Sequence, residues 1–215
     1  MKVETRERSL RERQKESTHG EIVDTAMEMI LKTGDFSHEA IAGATGMAAR
    51  TVYRHFPSRE ELIAATWDKL RARTGTRFPR TEEEILELAP EVYGNFDQNE
   101  KLVRAFLFSG VGSEVRDRGA REGRPAFRAA LKDLVGGLPV RKQKQVVAVF
   151  LALYSAPAWQ MMRDRGELSG EDAGQAVRWA LSALLASLKK DSILSTKGNR
   201  NGKSGNSPDS TAGRR

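Results

Sequence analysis

The chain has 215 residues, 36 Lys and Arg against 29 Asp and Glu, a formal net charge of +7 and no cysteine. The missing cysteines exclude disulfides, thiolate metal sites and a cysteine nucleophile. No apolar run approaches the roughly 20 residues of a membrane-spanning helix, and the charged N-terminus does not read as a signal peptide, so a cytoplasmic protein is expected.

Residues 1–17 alternate Arg and Lys with Glu and carry almost nothing apolar, which predicts a charged N-terminal arm or a solvated helical extension. Thr18 and Glu21 have the spacing of a capping box, predicting a helix start there with Ile22, Val23, Ala26, Met27, Ile30 and Leu31 on one face and Gly34 at its end. A short helix follows from Ser37 through Ala40, Ile41 and Ala44, and Gly46 interrupts it. The next runs from about Ala49 to Phe56 and stops before Pro57. Ser58 and Glu61 form a second capping box, opening a helix with Leu62, Ile63, Thr66 and Leu70 inward. Thr81 and Glu84 form a third, and Pro90 is expected to kink or break the helix it opens. Leu102, Val103, Phe106 and Leu107 mark another amphipathic stretch, ending near Gly110. Residues 111–124 are charged and glycine-containing, a weak helix signal, and Pro125 reads as a first-turn residue. An apolar helix is expected over about 140–165 with a kink at Pro157, and Ser169 with Asp172 opens a last helix to about Lys189. The Gly/Ser/Asn/Lys-rich residues 191–215 predict a disordered basic tail.

The chemistry concentrates in residues 37–56, two short helices around Gly46 at the spacing of a helix-turn-helix. Val52 and Phe56 lie four apart and can face a core, which leaves Arg50, Thr51 and Arg54 outward on a compact helix of the size that enters a major groove. Net charge does not locate this face. Residues 1–80 hold 15 basic and 12 acidic side chains, residues 81–188 hold 14 and 15, and residues 189–215 hold seven and two. His38-Glu39 is followed by Ala42 where a zinc-binding helix would need a second histidine, so neither a metal nor a cofactor is expected.

Ile41-Ala42, Gly46-Met47-Ala48, Thr51-Val52-Tyr53-Arg54-His55-Phe56 and Ser58-Arg59-Glu60-Glu61-Leu62 together resemble the TetR family of transcriptional repressors. The resemblance covers about residues 18–64. Ala48 stands where the family has Ser, and Arg59 where it has Lys. It implies an all-α fold: a three-helix head with the helix-turn-helix over 18–64, then a helical effector-binding and dimerisation domain over 65–190. It also implies DNA contact by His38, Arg50, Thr51, Tyr53, Arg54, His55 and Arg59. Structural alternatives stand beside these roles: Tyr53 packing on the head, and His38 or His55 as satisfied structural histidines.

On the last helix, apolar residues from Ala173 to Leu188 spread over roughly 240°, wider than one core-facing stripe. Such a helix needs two covers, its own domain and a second subunit. Because TetR-like proteins pair through their last two long helices, Val177, Ala180, Leu181, Leu184 and Leu188 are the dimerisation candidates. The same resemblance implies an effector pocket in the body, for which Tyr93, Phe106, Phe127, Trp159 and Met162 are the candidates. The expected function is repression from a pseudo-palindromic double-stranded DNA operator by a homodimer, relieved by a small, largely apolar effector. The alternative is a DNA-binding regulator without such an effector, controlled by a partner protein. No catalytic constellation can be assembled, so no enzyme is expected.

Overall fold

The computed structural model describes the backbone of residues 2–201 and the side chains of residues 9–190. Among the described residues the fold is entirely helical, with eleven helices and no strand. No single helix among them is long and apolar enough to cross a membrane.

The first helix, α1 (Lys2–Thr33), passes straight through Thr18. The Thr18 hydroxyl donates to the Gln14 carbonyl at 2.9 Å, so it serves the helix interior and not an N-cap. The capping-box expectation fails here because the preceding Arg, Lys, Glu and Gln residues are themselves good helix formers. The two short helices α2 (His38–Thr45) and α3 (Ala49–His55) meet at Gly46, whose φ of 71° is the left-handed conformation a non-glycine residue would resist. The Ser37 hydroxyl caps α2 by accepting from the Ala40 amide at 3.1 Å. Helix α4 (Arg59–Arg73) begins at Ser58, which accepts from the Glu61 amide at 3.2 Å.

The body holds α5 (Glu82–Gln98), α6 (Glu100–Phe108), α7 (Gly110–Ala130), α8 (Lys132–Val135), α9 (Val140–Leu153), α10 (Ala156–Asp164) and α11 (Gly170–Asn201). Thr81 and Ser169 cap α5 and α11 as their spacing predicts, accepting from the amides of Glu84 and Asp172. Three local expectations give way. Pro90 lies inside α5 without ending it. Residues 111–124, a weak helix signal, belong to the long α7, and Pro125 sits within that helix, not at its start. The expected helix over 140–165 is two helices bent by 53°, but the break falls at Tyr154–Ser155. Pro157 instead occupies the first turn of α10, where its missing N–H costs nothing.

Tertiary packing explains why α7 is helical despite its glycines. A side-chain carbon on Gly119 would lie 2.8 Å from the Trp67 ring, and one on Gly123 2.8 Å from the Phe78 ring. The two bare positions, one turn apart, let aromatic rings pack on the α7 backbone, and their burial outweighs the roughly 1 kcal/mol of propensity each glycine loses.

Two cores organise the molecule. One gathers Ile22, Ile30, Ile41, Val52, Phe56 and Leu62 of the first four helices, and it continues into Phe106 and Val115 of α6 and α7. The other fills the body around Tyr93, Phe127, Phe150, Trp159, Val177 and Leu181. Helix α11 runs on to Asn201, beyond the end expected near Lys189, so the predicted disorder does not begin at 191. The rest of the predicted tail, 202–215, lies outside the described residues.

Candidate nucleic-acid interface

Helix α3 is anchored by Val52 and Phe56, which are 0% and 3% exposed in the head core. Burying two such side chains supplies about 1.5–3 kcal/mol each, enough to fix which face of a seven-residue helix turns outward. Arg50 and Arg54 are exposed on that outward face, and Thr51 is half-buried beside them. Among the described residues neither arginine pairs with a carboxylate, which leaves both guanidinium forks open to an external acceptor. Ala48, at the cap position of α3, makes no side-chain cap, as its methyl group requires.

Tyr53 is exposed but held. Its hydroxyl donates to Glu39 Oε1 at 2.7 Å, and its ring stacks on His38 with centroids 4.3 Å apart. That hydrogen bond lowers the Glu39 carboxyl and raises the Tyr53 phenol. His38 itself is buried, and its Nε2 donates to the Phe56 carbonyl at 2.8 Å. The structure therefore places His38 inside the head, where it supports Tyr53 and the end of α3. A lone histidine at a helix start signals either role, and the carbonyl 18 residues away decides it. His55 is half-buried between α3 and α1; desolvation first, then the nearby His19, Arg54 and Lys15, pulls its pKa down.

Arg59 is held within the protein by several acceptors. Its NH2 donates to Glu114 Oε1 at 2.8 Å and its Nε to Oε2 at 3.2 Å, a forked pairing with α7. NH1 donates to the Phe36 carbonyl at 2.9 Å, and the guanidinium lies over the Phe36 ring. The Glu114 hydrogen bonds raise its pKa further. These bonds tie the start of α4 to the body. Nothing in the sequence marks Glu114 as its partner, 55 residues away.

The body contains an apolar cavity of about 280 Å³. Trp67 and Leu70 of α4, Phe96 and Phe106 of α5 and α6, Arg116 and Gly119 of α7, and Tyr154 after α9 line it. Of the five pocket candidates only Phe106 is there. Tyr93, Phe127 and Trp159 are fully buried in the body core, and Met162 packs against that core. An aromatic residue in an amphipathic helix signals burial, and burial alone does not separate a core from a cavity wall. Trp67 bridges head and body: its Nε1 donates to Glu122 Oε2 at 3.0 Å, and Arg71 and Arg118 donate to the same carboxylate.

On α11, Val177 and Leu181 are 0% exposed, and Leu188 is also buried. These three dimerisation candidates face the protomer's own core, while Ala180 and Leu184 are half-buried. The outward apolar strip is Trp179, 75% exposed, with Ala183 and Ala186. The sequence arc contained both faces, but periodicity does not say which of two apolar sides belongs to the protomer.

Residues 22–66 match the model of the bacterial regulatory proteins, tetR family. No curated protein matches the chain. Among solved structures, the chain is 25% identical to a candidate transcriptional regulator from Streptomyces coelicolor A3(2), over 80% of this chain and 97% of that one, with a TM-score of 0.39. The matched segment spans α2, α3 and the outward arginines just described, and over it the chain is similar to the bacterial regulatory proteins of the tetR family.

Proposed function

We propose that the protein is a homodimeric repressor that leaves a pseudo-palindromic operator when a small molecule fills the body cavity. Arg50 and Arg54, with Thr51, read base edges in the major groove, and Tyr53 and His55 contact the backbone beside it. The second subunit covers the Trp179–Ala183–Ala186 strip of α11, whose small residues allow helices to approach closely.

The observation that carries the reading is that one helix belongs to both sites. Leu62 and Ile63 of α4 sit in the head core, whereas Trp67 and Leu70, one to two turns on, wall the cavity. A molecule in the cavity touches the helix that follows the recognition helix after a single proline turn. In a dimer, a shift of that helix alters the separation of the two recognition helices, and DNA geometry accepts only about 34–36 Å or a multiple of it. An effector that prefers another separation lowers DNA affinity by its differential binding to the two states, ordinarily 1–3 kcal/mol, or about 5–150-fold. The cavity also favours this reading over a regulator controlled only by a partner protein.

The test selects binding sites from random-sequence duplexes, then repeats the affinity measurement with each compound that raises the melting temperature. The expected result is a pseudo-palindromic site and at least one compound that weakens binding about 5-fold or more. Compounds that stabilise the body yet leave DNA affinity unchanged would overturn effector-driven release.

A further inference from the structure

Among the described residues, the polar groups around the cavity have partners, apart from most of the Arg116 guanidinium and the exposed Asp117. The Thr74 hydroxyl donates to the Leu70 carbonyl and shares a hydrogen bond with Thr76. The Tyr154 hydroxyl donates to the Arg77 carbonyl, and the Ser155 hydroxyl donates to the Ala152 carbonyl while capping α10. Trp67 Nε1 is held by Glu122. Arg116 remains. Its NH1 donates to the Phe106 carbonyl, at the C-terminal end of α6. An arginine carries five N–H donors, and among the described residues no other acceptor takes the rest.

Among the described residues Arg116 is also without a paired carboxylate. Asp117 is its charged neighbour on the cavity wall, but Asp117 is exposed and makes no ion pair with it. Arg116 lines a mostly apolar cavity together with Trp67, Phe78, Phe106 and Leu151. Desolvation lowers its pKa, opposed in part by Asp117, as for a cation short of a counter-charge.

We infer that the cavity takes a small amphipathic anion, with its apolar body against Trp67 and Phe106 and an acidic oxygen group accepting from Arg116. This deepens the effector reading above and rests on it. The volume lies just below the roughly 300–1,000 Å³ of drug-sized sites and is about twice that of an apolar cavity known to admit benzene, which limits the ligand to a small molecule. A carboxylate suits the arginine fork best, because two parallel hydrogen bonds add direction to charge.

The experiment is calorimetric titration of the full chain with decanoate and decan-1-ol, which share an apolar tail and differ in charge, repeated on Arg116→Gln and Arg116→Lys. The wild type is expected to bind decanoate about tenfold or more tighter than the alcohol, the ordinary effect of a hydrogen bond to a charged group. Arg116→Gln should remove that preference and leave alcohol binding unchanged, and Arg116→Lys should keep most of it. Should Arg116→Gln melt prematurely, decylamine on the wild type replaces it, and the cation is expected to bind at least tenfold more weakly than the alcohol. Equal binding of decanoate and alcohol, binding of neither, decylamine binding like decanoate, or a preference that survives Arg116→Gln would each overturn the anion site. Arg116-dependent binding of decanoate that leaves DNA affinity unchanged would instead overturn effector release, and the anion site would stand.

Discussion

Arg59 has a partner in the fold that its sequence position does not signal. In the family pattern a basic residue at this position follows the recognition helix and suggests a phosphate contact. Here its fork closes on Glu114, 55 residues on, with the Phe36 carbonyl as a further acceptor. Both partners are close to half-exposed, so the pair contributes at most about 1 kcal/mol to stability. A double-mutant cycle of Arg59→Gln and Glu114→Gln, read by denaturant unfolding, is expected to give a coupling of about 0.5–1 kcal/mol. Arg59→Gln alone should leave the salt dependence of DNA binding unaltered. A loss of about one unit of salt slope in that variant would establish the phosphate role. His38 carries the same lesson. Its position at the start of α2 is readable, but its bond to the Phe56 carbonyl exists only because α3 folds back across it.

Among the elements, those with local signals were legible and those fixed by distant packing were not. Ser58, Thr81 and Ser169 open helices where their spacing predicts, because a cap and its partner lie within one turn. The head's helix-turn-helix was legible for the same reason, since Val52, Phe56 and Gly46 act over a few residues. Helix α7 was not, because Gly119 and Gly123 are explained only by Trp67 and Phe78 on other elements. The cavity wall was missed for the same reason, as Arg116 lies in that poorly signalled stretch. Helix α11 was legible as two-sided, but the residues assigned to the dimer include Val177, Leu181 and Leu188, which face the protomer's own core. Its core face now predicts a separation of phenotypes. Trp179→Glu is expected to dissociate the dimer in analytical ultracentrifugation while leaving the melting temperature of the protomer nearly unchanged. Leu181→Glu should unfold the body, because it leaves an unpaired charge at a site with no exposure. A Trp179→Glu protein that remains dimeric at micromolar concentration would remove this strip from the interface.

For the whole molecule, the two cores and the cavity describe a head and body joined through α4 and the first part of α7. The head core includes Val115, and the cavity includes Trp67, so neither site is structurally isolated from the other. That continuity is the physical basis for linking a small molecule in the body to DNA at the head. It matters only if α3 is the surface that reads DNA, and that assignment is the centre of the account. The measurement is fluorescence anisotropy of the selected duplex with the wild type and with an Arg50→Ala/Arg54→Ala double variant of unchanged melting temperature. Each arginine that contacts a base is expected to cost about 1–3 kcal/mol and to relax discrimination at its position, so the double variant should bind at least tenfold more weakly. An affinity equal to that of the wild type would contradict the groove assignment of α3.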